Sequence, residues 1–194
     1  TAGAKWRDIV LIALAGIILL AVVAMVRPYI MDRLTTFMDP SADPLGSGYQ
    51  VQQSLIAIGS GGITGRGFGQ SIQKFEYLPE PIGDSIFAVY AEEFGFVGAF
   101  ILIASLVFLT LRGYRIASQA SDIFGTLLVV GFMTMLVAQA FLNIGAMLAI
   151  APLSGLPLPF VSHGGTALLA MLTSLGIVLN VSKYRTSGKN HVLN

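Results

Sequence analysis

Hydrophobic positions along this chain collect into long uncharged runs, separated by short charged segments and one long polar stretch. A membrane-crossing helix needs about 20 largely apolar residues, so uncharged runs of about 18 or more predict spans. One such run covers 9–26 and is stopped by Arg27-Pro28. A second has its core at 94–111, reaches back to 85 because the preceding residues are also apolar, and closes at Arg112. From Ile123 to Ser182 there is no charge for 60 residues, too long for one span. Pro152, Pro157, Pro159 and Gly164-Gly165 break it in the middle. The pattern therefore predicts an all-α integral membrane protein, a single segment over 1–194. Its four transmembrane helices lie at about 9–26, 85–111, 123–150 and 166–181, with loops at 27–84 and 151–165.

Four spans put both ends of the segment on one side, and charge indicates which. Lys5, Arg7, Arg112, Arg115, Lys183, Arg185 and Lys189 fall on that side in three short segments. Arg27, Arg33, Arg66 and Lys74 are diluted in the opposite loop among six acids between Asp32 and Asp84. The ends are expected in the cytoplasm and loop 27–84 outside, where its length, far beyond that of a mere connection, marks it as the place of function. Within it, Asp39-Pro40, Asp43-Pro44 and Gly46-Ser47-Gly48 predict turns, and 49–58 predicts a short amphipathic helix at the membrane surface.

Composition narrows the chemistry. With 55% hydrophobic and 11% charged residues and a mean hydropathy of +0.78, the chain is too apolar for a water-soluble fold. A net charge of +1 with no basic block leaves no footprint for a nucleic acid. The absence of cysteine excludes disulfides and thiol chemistry, and two histidines, His163 and His191, cannot build a histidine metal site. Any metal would need oxygen ligands. The sequence begins Thr1-Ala2-Gly3 without a Met, and its first apolar run is too long for a signal-peptide core, which suggests a piece of a larger protein.

Asp84 is the sharpest chemical candidate. It lies where a Pro/Gly-bounded loop enters a membrane helix, so its carboxylate meets both water and low dielectric, a setting that suits a base. The bland alternative is equally physical, because an Asp before Ser85-Ile86-Phe87 makes a good N-cap. Glu92 and Glu93 follow about 12 Å along a continuous helix, too far from Asp84 for a glycosidase-type carboxyl pair. Within a span they need polar partners or a cavity. Gly65-Arg66-Gly67-Phe68-Gly69 presents a weak phosphate-cradle pattern, with a flexible turn system as the blander reading; Arg66 and Lys74 flank it and suit a diphosphate. Gln139 and Asn143 mark a polar stripe facing other helices rather than lipid. His163 reads as a loop residue without a catalytic partner.

Several motifs are more specific. Arg33-Leu34-Thr35-Thr36-Phe37, Asp39-Pro40, Asp43-Pro44-Leu45-Gly46-Ser47-Gly48-Tyr49-Gln50, Gln53-Ser54-Leu55, Gln73-Lys74-Phe75-Glu76-Tyr77-Leu78-Pro79-Glu80 and Asp84 with Glu92-Glu93-Phe94-Gly95 follow one another along the chain. Asn143-Ile144-Gly145, Ser154-Gly155-Leu156-Pro157-Leu158-Pro159-Phe160-Val161-Ser162 and Gly164-Gly165 complete the series. In this order they closely resemble the SEDS family, the bacterial shape, elongation, division and sporulation proteins. The resemblance covers the carboxyl-terminal part of a fold of roughly ten helices. The wording at 74–80 leans toward its division and sporulation branches. Where many members carry His-Thr-Asp-Phe, this chain has Ile82-Gly83-Asp84-Ser85, keeping the acid and changing its neighbours, and His163 stands where Tyr is commoner.

The resemblance implies a peptidoglycan glycosyltransferase that polymerises lipid II outside the cytoplasmic membrane. Asp84 would be the catalytic base, with Lys74, Arg66, Glu80, Gln53 and Ser162 binding substrate. It also implies a divalent cation (Mg2+ or Mn2+), with Asp84 as a candidate ligand, and no organic cofactor. The implied partners are a class B penicillin-binding protein and other divisome membrane proteins, docking on helices 85–111 and 123–150, where Gly95, Gly98, Gly125 and Gly131 offer small faces. A lipid II flippase and a non-catalytic scaffold are the competing readings. Formation of glycosidic bonds discriminates the enzyme from both.

Overall fold

The computed structural model describes residues 3, 5–26, 28–39, 43 and 46–184. Arg27, Pro40, Pro44, Leu45, Arg185, Lys189 and His191, which enter the sequence argument above, lie outside them. Seven helices follow in order: α1 (Trp6–Val26), α2 (Pro28–Met38), α3 (Ser47–Gly61), α4 (Gln73–Glu76), α5 (Ile86–Ala117), α6 (Ile123–Met147) and α7 (Gly165–Lys183). No strand occurs among the described residues. Helices α1, α5, α6 and α7 are long and apolar enough to cross a membrane, matching the four expected spans with shifted ends. Helix α5 continues past Arg112 to Ala117 through Gly113, which is buried against Met133, and α6 stops at Met147, three residues before 150.

The stretch 27–84 is not an irregular loop. Pro28, whose missing N–H and fixed φ suit a first helical turn, opens α2 directly behind α1. The Asp43 carboxylate accepts from the N–H groups of Gly46 and Ser47 at 3.0 and 2.8 Å and so starts α3. That helix is longer than the 49–58 predicted. It packs by a face of small residues, Gly48, Ser54, Ala57 and Gly61, all buried, while Leu55 and Ile56 remain exposed. The helix is seated closely on α5.

The closeness has a cause in α5 itself. This helix is broken at Gly95, which has φ 65° and ψ −164°, into a short arm before the break and a long span after it. A break leaves carbonyls unsatisfied on one side and N–H groups on the other, and the glycine-rich stretch after α3 satisfies both. Arg66 and Gly67 donate their N–H groups to the carbonyls of Glu92 and Glu93, each at 3.0 Å. Gly62 and Ile63 accept from the N–H groups of Phe96 and Val97 at 2.9 and 3.1 Å. Such an approach leaves no room for side chains. A Cβ on Gly65 would stand 2.2 Å from the Glu93 carbonyl oxygen, and one on Gly95 would stand 2.3 Å from the Gly65 nitrogen.

Glu92 locks this clasp from inside. Fully buried, it accepts from the Ser71 hydroxyl at 2.5 Å, from the N–H groups of Ile72 and Gln73 at 3.2 and 3.3 Å, and weakly from Ser60 at 3.4 Å. Its Oε1 also lies 3.5 Å from the Arg66 Nε. A buried carboxylate is tolerable only with partners of this kind, and the structural reading of Glu92 holds. Glu93 is buried too, but its Oε1 has no hydrogen-bond partner.

If the clasp organises the segment, Gly65→Ala and Gly95→Ala in detergent-solubilised protein should each lower thermal stability, by more than about 2 kcal/mol from strain at positive φ and steric clash. Gly131→Ala, which meets nothing within 4 Å, should be neutral or slightly stabilising. A thermal unfolding series in which all three variants melt alike would contradict this arrangement.

Candidate active site

Asp84 lies at the end of the segment that leads into the short arm of α5, half-buried. It does not cap that helix. The N-cap position is Ser85, and no side chain there accepts from a helix N–H. The Ser85 hydroxyl, fully buried, instead donates to the Pro79 carbonyl at 2.9 Å and accepts from Gln50 Nε2 of α3 at 2.9 Å. The same Gln50 nitrogen lies 3.4 Å from Asp84 Oδ1. The capping role open to Asp84 in the sequence is therefore not used.

The backbone of this junction is held from a third direction. Asn143 of α6, 1% exposed, donates through Nδ2 to the carbonyls of Asp84 and Leu156, both at 2.7 Å. One turn earlier, Gln139 donates to the Pro157 carbonyl at 2.8 Å. The polar stripe on α6 thus finds protein partners, but they are carbonyls of non-helical segments and not other helices. Through it, loop 151–165 is drawn against the junction, and the His163 N–H adds a bond to the Ile82 carbonyl at 2.8 Å. His163 is otherwise exposed. Glu80 and Phe160, one in each segment, have left-handed φ of 47° and 63°, a conformation that costs a non-glycine residue about 1 kcal/mol or more.

The other candidates divide. Lys74 sits on α4, half-buried, its Nζ 5.5 Å from the centre of the Phe75 ring, and forms no ion pair among the described residues. Arg66 pairs with Glu92, and its side chain is 38% exposed. The phosphate cradle at 65–69 is contradicted, since the N–H groups of Gly65, Arg66 and Gly67 are all bound to carbonyls of α3 and α5. Ser162 accepts from the Leu158 N–H at 2.6 Å and shapes its own loop. Gln53 is half-buried one turn beyond Gln50, and Glu80 is exposed, its carbonyl accepting from the Gly83 N–H at 3.0 Å. Tyr77 has its phenol pKa raised by the hydrogen bond that its hydroxyl donates to the neighbouring Glu76 carboxylate and by the charge of that carboxylate.

Among the described residues, no three His, Cys, Asp or Glu side chains gather into a set that could hold a metal ion. Gln50 and Ser85 are site residues that the sequence does not single out, and Asn143 reads there only as part of a polar stripe. The amide at 143 stands in an apolar run, but Gln50 is one of three glutamines within four residues and carries no such signal.

Of the four glycines expected on the docking face, Gly95, Gly98 and Gly125 are buried within the segment, and Gly131 alone is open. What α5 and α6 do offer is an apolar groove of about 500 Å³, lined by Leu106, Thr110, Tyr114, Ala140, Ile144 and Leu148 among others.

Comparison with known proteins agrees with this architecture. The family model for cell cycle proteins of the FtsW, RodA and SpoVE type matches residues 1–187. Stage V sporulation protein E of Bacillus subtilis is 44% identical over 183 residues, covering 94% of this chain and 50% of the relative. A probable peptidoglycan glycosyltransferase FtsW of Synechocystis is 44% identical, covering 93% and 46%. The peptidoglycan glycosyltransferase MrdB of Escherichia coli K12 is 41% identical, covering 94% and 50%. The solved structure of a peptidoglycan synthase complex overlays with a TM-score of 0.68 at 32% identity, over 93% of this chain and 50% of that one. The crystal structure of the rod shape determining protein RodA of Thermus thermophilus gives 0.51 at 38% identity, over 54% and 35%. This chain spans about half the length of the curated relatives it matches. It belongs to the FtsW, RodA and SpoVE family of cell cycle proteins, the SEDS family that its motifs resemble.

Proposed function

We propose that the protein carrying this segment is a peptidoglycan glycosyltransferase that polymerises lipid II, with Asp84 as its general base. The observation that carries the proposal is a carboxylate at a loop-to-helix junction that does not cap its helix, with Gln50 of α3 beside its side chain and Asn143 of α6 on its backbone carbonyl. The names of the relatives as peptidoglycan glycosyltransferases support it. In the reaction, the 4-hydroxyl of an acceptor sugar attacks the anomeric carbon of a lipid-linked donor. The bond from that carbon to the diphosphate breaks, the anomeric centre inverts, and the hydroxyl proton passes to Asp84. Direct displacement requires one base and no second carboxylate, in keeping with the distance of Glu92 from this end of the arm.

The leaving diphosphate needs positive charge. Lys74 suits that role because it has no ion-pair partner among the described residues, whereas Arg66 is neutralised by Glu92. Arg66 thus serves the clasp first. A divalent cation belongs to this proposal only as a companion of the substrate's diphosphate, and no step is assigned to it. The lipid tail stays in the bilayer beside the spans. Both ends of the segment lie in the cytoplasm, with 27–84 and 151–165 outside. The partner is a class B penicillin-binding protein, whose single membrane helix would lie in the apolar groove between α5 and α6, within a divisome assembly.

In the full-length protein, Asp84→Asn keeps size and removes the base. Polymer made from labelled lipid II in liposomes, resolved on gels, should fall by about 10² to 10⁴-fold with folding intact. Near-normal polymer would return Asp84 to a structural role. Lys74→Ala should raise KM for lipid II, while Arg66→Ala should lower thermal stability and the yield of folded protein. For topology, reporters fused after Asn194 and inserted at Ala42 should report cytoplasm and exterior respectively; the reverse would overturn the placement. Ala140→Trp and Ile144→Trp should fill the groove and reduce co-purification of the penicillin-binding protein, and unchanged recovery would remove the groove from the partner interface.

A further inference from the structure

We propose that Gln50 is a positioning residue for the reaction, fixing the Asp84 carboxylate through a relay that begins at the Pro79 carbonyl. The inference rests on the assignment of Asp84 as the base. Its footing is geometric. One nitrogen, Gln50 Nε2, lies 2.9 Å from Ser85 Oγ and 3.4 Å from Asp84 Oδ1. Ser85 Oγ is itself oriented because its own proton goes to Pro79 O at 2.9 Å. The hydroxyl must therefore accept from Gln50, which directs the amide's N–H side, and not its oxygen, toward the junction.

The arrangement carries a stability cost that packing does not explain. Ser85 occupies the N-cap of α5 with a hydroxyl suited to capping, and Asp84 precedes it with a carboxylate equally suited. Neither accepts from a helix N–H. A lost cap lowers helix stability. Instead, the serine anchors Gln50 and the aspartate keeps its carboxylate out of the helix, while Asn143 fixes the Asp84 backbone through its carbonyl at 2.7 Å. Backbone and side chain are thus held by separate amides from two helices. Both holders are neutral donors, and the one on the carboxylate, Gln50, restrains it without bringing a countercharge. A lysine or arginine at position 50 would hold it more strongly and make it a weaker base. At 3.4 Å this contact is long for an N–H···O hydrogen bond, so it restrains the carboxylate while leaving lone pairs open.

The test uses the full-length protein with its partner in liposomes, measuring kcat and KM for labelled lipid II alongside thermal unfolding. Gln50→Leu should reduce kcat by about 10- to 100-fold, the scale expected from misplacing a catalytic group, with KM changed less than about twofold and melting unchanged. Gln50→Glu keeps the size but turns an acceptor toward Asp84, so its kcat should fall at least as far. Ser85→Ala removes the anchor and should lower kcat similarly, and Gln50→Leu with Ser85→Ala should be no worse than the poorer single variant. Normal kcat in Gln50→Leu, or losses in the double variant that multiply, would overturn the positioning role. So would losses matched by an equal fall in folded protein. An inactive Asp84→Asn beside a normal Gln50→Leu would sink this inference alone, whereas an active Asp84→Asn would sink the assignment beneath it.

Discussion

Four backbone hydrogen bonds across the break at Gly95 join the polar part of this segment to its membrane part. A helix interrupted beside a bilayer exposes peptide groups that hydrocarbon cannot satisfy. The stretch from Gly62 to Gly67 supplies donors to one side of the break and acceptors to the other, so loop and helix complete each other. Glycine is required at positions 65 and 95 because the two backbones touch there. Glu92, buried under the same loop, replaces water for Ser71 and the N–H groups that follow it.

From this clasp the rest follows in space. The short arm of α5 is fixed at its far end by the loop, and at its near end by Gln50, Asn143 and the Pro79 carbonyl. An arm held at both ends by hydrogen bonds from other elements does not depend on its own cap. That frees the two residues at its start, and Asp84 stands among polar groups that aim it without sharing its charge. Strained backbone at Glu80 and Phe160 lies in the two segments that frame this place, as is common where geometry serves chemistry rather than stability.

Much of this was legible in the sequence, and the remainder was hidden for identifiable reasons. Long uncharged runs report spans directly, because a bilayer constrains length and polarity so strongly. Asp84 stands out because it joins a Pro/Gly-bounded polar loop to a membrane helix. The break at Gly95 was invisible, because Phe94 and Phe96 keep the run apolar through it. Gly65 to Gly69 suggested an anion cradle, but spacing alone cannot say whether N–H groups face a ligand or a helix terminus. Helix α2 was missed because its turn residues and charges resemble those of a loop. The resemblance marks Ser162 and Arg66 as substrate contacts, whereas their partners in the fold, Leu158 and Glu92, depend on tertiary packing. Gln50 and Asn143 depend on contacts 34 and 59 residues away, which no local pattern carries.

Hydrogen exchange on the full-length protein tests the clasp most directly. The amides of Arg66 and Gly67 lie in a polar loop and would exchange at once if that loop were free. Bound to the carbonyls of Glu92 and Glu93, they should exchange as slowly as the interior of α3, and Glu92→Ala should speed them while leaving α6 protected. Fast exchange at both amides in the unmodified protein would contradict the account.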